Sequence, residues 1–490
     1  MTAFPNQATR RELLSWSGMS LAGVALDAMI TRDLQGETGN PPHGADPEGR
    51  PHFRPRAKSV IWLMMRGGAS HLEGFDPKPA LDRYAGKTLA ETPFLDHVTK
   101  SPYYRNVKEQ VLNNVIKTDK ARILPLQKGY QKCGESGIEV SDWWPHTRKL
   151  VDDMAVVRSM WPTDNNHGAQ LQFLSGRHLL DGCVPTVGAW IHYGLGSLSD
   201  NLPQFLSIGD RGMESQCAGG TDAQYLGPEH EGIWLTIDPK NPLPYANSAQ
   251  AVTAPVRSIK RDLLTRLQAQ TAREYAGDER LRARIKAYDL AFRMQTAIPD
   301  IMNLDSETRH THALYGLDNP TTRRFGQQLL ATRRLVEKGV RFVQVFHGGG
   351  AAGAWDAHAK LIGNHNNMCG QADKPIAGLL SDLKQRGMLE DTVVVWTSEF
   401  GRTPGAQGKD GRDHHNYGFS IWMAGGGIKG GVVHGATDEL GFHAVENRHY
   451  VTDVHATLFR LLGLDARRLE IPGRKRLEID FGESIDEIIA

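Results

Sequence analysis

Short apolar runs that stop abruptly at glycine and ionisable residues recur along this chain, and they leave few folds open to it. Ser59–Met65 reads SVIWLMM, and Met154–Met160, Phe205–Ile208, Val340–Phe346, Val393–Trp396 and Phe419–Ala424 repeat the pattern. Runs of this length without polar alternation mark strands buried on both faces of a parallel sheet. Helical patterns lie between them. Ala169–Leu174 closes on Ser175, Gly176 and Arg177, and Phe325–Glu337 ends near Gly339. Within Ser258–Ile298, the residues Leu281, Ile285, Tyr288 and Phe292 recur at spacings of three and four. Asp373–Lys384 precedes Gly387, and Thr452–Gly463 turns Val454, Leu458, Leu461 and Leu462 inward. Strand, glycine loop and helix in alternation predict an α/β architecture.

A length of 490 residues allows about three domains, yet α/β enzymes of this size are often one domain with insertions. Lys plus Arg number 57 against 56 Asp plus Glu, a balance that argues against nucleic acid or an anionic membrane as the main partner. At the amino terminus, Arg10 and Arg11 with Leu13 and Leu14 precede a small-residue apolar stretch to Met29, the pattern of a twin-arginine export signal. The stretch is too short and broken for a stable membrane span, and Asp27 interrupts it. A disordered amphipathic start is the alternative. The expected organisation is an export signal over 1–30, a Gly-, Pro- and charge-rich linker over 31–56, and a main domain over 57–490 with an insertion or cap around 212–257. Such a protein would sit in the periplasm or at the cell surface. The four cysteines have no CxxC pairing, which argues against a zinc-thiolate site. A Cys183–Cys217 disulfide and four free thiols both remain open.

Chemistry-bearing residues gather where strands end, the edge at which open α/β sheets hold ligands. The run at Val393–Trp396 leads to Ser398, Glu399 and Arg402, then to Arg412, Asp413, His414 and His415. The run ending at Phe346 leads to Asp356, His358 and His365, that ending at Met65 to Ser70 and His71, and that ending at Met160 to Asn166 and His167. Imidazoles and carboxylates from several strand ends can build a site for Zn, Mn, Fe, Mg or Ca. The same residues can equally form a hydrogen-bonded polar network. His455, on the last helix, is expected to be structural.

The motifs FDPKP, RMQ at Arg293–Gln295, GVRFVQVF, WDAH, DKPIAGLLSDLKQRGMLEDTVVVWTSEFGRTP, GRDHHNYGFSIWMAGGGIKGG and HGATDE run from Ala57 to Asp465. Together they resemble the bacterial domain of unknown function 1501 family, which groups with the alkaline phosphatase and sulfatase superfamily. The resemblance implies an alkaline-phosphatase-like three-layer α/β/α sandwich with a mostly parallel central sheet. WDAH resembles an Asp and His ligand pair, giving those roles to Asp356 and His358. TSEFG resembles the TSDHG loop of a second metal site, with Glu399 in the Asp position and Phe400 where a ligand would stand. DHHNYGFSIWMAG is similar to the loop that supplies a late histidine, His414 or His415, and Asp413 and His365 complete the expected ligand set. NHGAQLQFLSGR is similar to the sulfatase nucleophile stretch, but Asn166 stands at the nucleophile position and the first strand lacks its usual ligand Asp.

The implied protein is an exported metal-dependent hydrolase, using a divalent ion (Zn, Mn, Mg or Ca) to activate water against a phosphate or sulfate ester. His167 would act as acid or base, and Arg402 or Arg412 would steady the anion. Its substrates would be small anionic esters or sulfated or phosphorylated polymers. The alternative is a non-catalytic exported binding or scaffold protein that keeps the fold.

Overall fold

All seven residues of strand β1 (Ser59–Met65) are buried, so neither face of this strand meets water. In the computed structural model, which describes residues 49–103, 121–199, 201–209, 220–237, 254–275, 278–471 and 473–490, β1 lies in the middle of a sheet. The further strands are β2 (Met154–Trp161), β3 (Phe205–Gly209), β4 (Ile233–Leu235), β5 (Phe342–His347) and β6 (Thr392–Thr397). Then come β7 (Gly401–Gln407) and β8 (Gly411–His415), a separate antiparallel hairpin, and β9 (Phe419–Ala424), β10 (Val432–His434) and β11 (His449–Tyr450). The sheet runs β10-β2-β9-β6-β1-β5-β3-β4, with β11 also on β2. Every pairing in it is parallel except those of β9 with β2 and β6.

Alternation along β1 divides the core. Ile61, Leu63 and Met65 join one apolar cluster with α3 (Glu279–Met302), α4 (Pro320–Glu337) and α5 (Leu361–Gln385). Val60, Trp62 and Met64 join the other with α1 (Ala169–Ser175), α2 (Val187–Leu195) and α6 (Val451–Leu461). The result is a three-layer α/β/α sandwich with a mostly parallel sheet. Local chemistry sets the helix ends. α4 starts where the Asn319 side chain accepts the Thr321 N–H at 3.0 Å and Pro320 pre-sets the first turn. It is followed by Gly339 at φ +90°.

Several expectations need correction. The segment after Glu399 is the β7–β8 hairpin and not a loop, because Gly401–Gln407 and Gly411–His415 satisfy one another's backbone groups. Asn364 and His365 lie within α5, which starts twelve residues before Asp373. The stretch before Ser141 holds an antiparallel hairpin of Tyr130–Cys133 and Ile138–Ser141. The charged tail after Asp465 forms short 3-10 turns. The export signal, residues 31–48 of the linker and most of the expected 212–257 insertion lie outside the described residues; 220–237 adds edge strand β4. Cys183 is disulfide-bonded while Cys133 and Cys369 are free thiols; Cys217 lies outside the described residues. Among the described residues no helix is long and apolar enough to cross a membrane.

Candidate metal centre

The carboxyl ends of β1, β2, β5 and β6 face the β7–β8 hairpin, and glycine permits the close approach. Gly67 leaves β1 at φ +115°, and a Cβ on it would fall 2.5 Å from the Asp356 nitrogen. Its own N–H instead donates to Glu399 Oε1 at 2.8 Å. Arg66 ties down the loop after β5, donating to the Gly350 carbonyl at 3.0 Å. Gly411 lets β8 press on the same loop, since a Cβ there would lie 1.9 Å from the His358 carbonyl oxygen.

Four side chains converge in the resulting space. Asp356 Oδ1 lies 3.0 Å from His358 Nε2 and 3.1 Å from His414 Nε2. The two Nε2 atoms are themselves 3.1 Å apart. Asp356 Oδ2 is 3.5 Å from His167 Nε2. The outward ring nitrogens decide what these contacts mean. His414 Nδ1 is 2.9 Å from the Asn165 carbonyl, which can only accept, so that nitrogen carries the proton. His358 Nδ1 faces Gln407 Oε1 and lies 3.4 Å from Asp413 Oδ1, and His167 Nδ1 faces Glu399 Oε1 at 3.1 Å. In its neutral form each ring therefore turns an unprotonated Nε2 toward Asp356. Lone pairs so close repel unless a proton or a cation lies among them.

Electrostatics follow this geometry. Burial would depress His167, but hydrogen bonds to Asp356 and Glu399 outweigh it and push the imidazole up to about 9. Burial would raise Asp356, but the three histidines and Arg402 hold its carboxyl far below the usual range. The Asp356 contact raises His358, whereas burial lowers His414. Donor atoms of His167, Asp356 and His414 lie within 4.8 Å of one another, as do those of His358, Asp413 and His414.

The other candidate residues occupy different positions. Glu399 is fully buried, and its oxygens accept from Gly67 N–H, Gln170, Ser398 and His167. It orients His167 and does not enter the cluster itself. Asp413 accepts the His414 N–H at 2.8 Å and stands behind His358. His415 is corrected: successive strand residues point to opposite faces, so its ring stacks on His71 and its Nε2 meets the Phe442 carbonyl. His365 is corrected as well, because its Nε2 accepts the Ser70 N–H and its ring packs against Trp143 and Trp355. Arg412 cannot reach an anion. It is fully buried and donates to Glu73 and to the carbonyls of Thr403, Pro404, Leu124 and Pro125. Arg402 donates to the Gly67, Gly68 and Arg412 carbonyls and, at 2.6 Å, to Asp356, so it braces the carboxylate. Sequence reasoning missed Gln407, Gln170 and the Asn165 carbonyl. Gln170, three positions after His167 at the start of a helix, was the one with a spacing signal.

A family model described as "Protein of unknown function (DUF1501)" matches residues 57–489. No curated protein matches the sequence. Among solved structures, the PsFucS1 sulfatase from Pseudoalteromonas sp. is similar at 12% identity and a TM-score of 0.36, over 88% of this chain and 73% of that one. A protein in the alkaline phosphatase superfamily from Vibrio parahaemolyticus gives 10% and 0.34, over 90% and 75%. The C-terminal periplasmic domain of EcEptC from Escherichia coli, in complex with Zn, gives 9% and 0.36, over 90% and 92%. Likeness at this level assigns no residue a role, and the roles above rest on the distances within this chain.

Proposed function

This protein belongs to the DUF1501 family, and from that premise we propose that it is an exported metal-dependent hydrolase of phosphate or sulfate esters, of the alkaline phosphatase and sulfatase type. One observation carries the reading: Asn165, Gln407 and Glu399 occupy the outward nitrogens of three histidines and leave three Nε2 lone pairs aimed at one carboxylate. Outer partners that pin the tautomer in this way are what metal-ligating histidines have.

The donors fit a divalent ion. His167, His358, His414 and Asp356 would hold it, and an imidazole-rich set favours Zn over Mn, Mg or Ca. When bound, such an ion supplies Lewis acidity and brings the pKa of water toward neutrality. The chain's own residues do the rest. Arg402 and the Gly67 N–H balance two carboxylates, the half-buried Asp356 and the fully buried Glu399, so that both stay ionised. Glu399 Oε1 holds the outward Nδ1 of His167, so its Nε2 would be the atom to hold the ion. Asn166, exposed beside His167, has no hydroxyl to attack with and spends its side-chain oxygen on the His167 N–H at 2.8 Å. Water is accordingly the attacking group.

Arg10 and Arg11 support delivery through the twin-arginine route to the periplasm or cell surface, where small anionic esters or sulfated or phosphorylated polymers would be substrates. The test begins with elemental analysis of protein purified without a histidine tag. Protein loaded separately with Zn, Mn, Mg and Ca is then assayed on phosphomonoesters, phosphodiesters and sulfate esters beside His358→Ala. Metal-dependent turnover that His358→Ala abolishes supports the reading. Bound metal without turnover on any ester moves the assignment to a binding protein, and absence of bound metal in every form refutes the centre.

A further inference from the structure

Neither arginine of the β7–β8 hairpin is free to hold an anion. Arg412 spends its donors on Glu73 and on backbone carbonyls; Arg402, also fully buried, spends its own on the Gly67, Gly68 and Arg412 carbonyls and on Asp356. Around the cluster stand the carboxylates of Asp356, Glu399 and Asp413, against the guanidinium of Arg402. A divalent ion would bring these charges to balance and leave no excess of positive charge for a substrate. The exposed residue beside the cluster is Asn166, set between two contacts with it. The Asn165 carbonyl is 2.9 Å from His414 Nδ1, and His167 Nε2 is 3.5 Å from Asp356 Oδ2.

The Asn166 carboxamide is held in one orientation. Its backbone N–H donates to Asp164 Oδ1 at 2.8 Å, and its side-chain oxygen accepts the His167 N–H at 2.8 Å. A backbone N–H can only donate, so the atom facing it is the oxygen, and the NH2 is the end left over. That end offers donors without charge. The charge on the ester then decides what fits. A phosphomonoester carries close to two negative charges above its second pKa of about 6, whereas a phosphodiester or a sulfate ester keeps one. Recognition of the doubly charged group calls for a guanidinium or ammonium, as bidentate arginines provide. A carboxamide answers a single charge spread over the non-bridging oxygens. We propose that this centre takes singly charged esters, phosphodiesters or sulfate esters, in preference to doubly charged phosphomonoesters, and that the Asn166 NH2 donates to a non-bridging oxygen of the ester. This inference rests on the ester-hydrolase reading and narrows its substrate class.

The full chain loaded with Zn, its metal content fixed by elemental analysis, is assayed at about pH 8 on bis(para-nitrophenyl) phosphate, para-nitrophenyl sulfate and para-nitrophenyl phosphate. At least one singly charged ester should give a kcat/KM about tenfold or more above that of the monoester, and Asn166→Asp should lower it about tenfold or more at unchanged Zn content. Calorimetry with methyl phosphate supplies a readout that needs no turnover. Asn166→Arg, which adds a cation where the carboxamide stood, should bind methyl phosphate about tenfold more tightly than the wild type. Lys360→Gln, at an exposed lysine shortly after His358, should leave the preference unchanged. The assignment is overturned if the monoester is turned over as fast as both singly charged esters, if Asn166→Asp or Asn166→Arg behaves as the wild type, or if Lys360→Gln reverses the preference. Zn-loaded protein that turns over none of the three esters overturns the hydrolase reading as well, whereas failure of the preference alone leaves that reading standing.

Discussion

His414 and His415 are neighbours in sequence, yet one faces Asp356 and the other meets the Phe442 carbonyl on the far side of β8. Their substitutions should separate cleanly. His415→Asn is expected to leave metal content at the wild-type level, while Asp356→Asn and His358→Ala should abolish it, as read by elemental analysis after dialysis. The outer partners should show intermediate effects. Glu399→Gln and Gln407→Leu are each expected to lower metal affinity about 10–100-fold, measured by competition with a chromophoric chelator. His455 tests a different residue-scale effect. Burial brings its pKa down to about 4 although its Nε2 donates to the Phe173 carbonyl at 2.7 Å. Its folded pKa therefore lies below the unfolded value of about 6.5, so the stability tied to the neutral ring is full above about 6.5 and is lost as pH falls toward 4. Urea titrations should show a loss on the order of 2 kcal/mol between about pH 6.5 and pH 5 from this group, and His455→Gln should flatten that slope. An equal slope in the variant would remove His455 as the source.

At the scale of elements, the β7–β8 hairpin does what a loop could not. It carries Arg402 and His414 on paired strands, with Gln407 across from Gly411, so three contributors to the centre move as one unit. Gly411 is the seat of that unit, pressed against the His358 carbonyl. Gly411→Ala should push the hairpin away, with a destabilisation of about 1–3 kcal/mol by denaturant unfolding and weakened metal binding. A variant with unchanged stability and metal affinity would show that the hairpin can shift without cost. Arg412 plays the matching part on the other side, joining the hairpin to Glu73 across 339 positions of sequence.

For the whole molecule, the centre joins segments from the exits of β2 and β5 and from the β7–β8 hairpin, so an ion held there opposes global unfolding. Chelation is expected to lower the thermal midpoint and Zn to restore it; at free ion about a thousandfold above Kd the linkage amounts to about 4 kcal/mol. Calorimetric traces that coincide with and without chelator would contradict this. At the level of the cell, Arg10→Lys with Arg11→Lys should retain the protein in the cytoplasm, read by fractionation; unchanged export would reject the twin-arginine route. What the sequence by itself determined was local. β1 and β9 are legible to the residue, because a short apolar run bounded by glycine and polar residues reads as a buried strand, and the glycines mark where backbone must approach backbone. The identities of the polar residues at strand exits were legible for the same reason. Which of them meet was decided by tertiary structure alone. Strand register chose His414 over His415, helix α5 carried His365 away, and the buried guanidinium groups of Arg66, Arg402 and Arg412 were drawn to backbone carbonyls. A carbonyl such as that of Asn165 belongs to every residue alike, so the group that sets the His414 tautomer leaves no mark in the sequence until folding places it there.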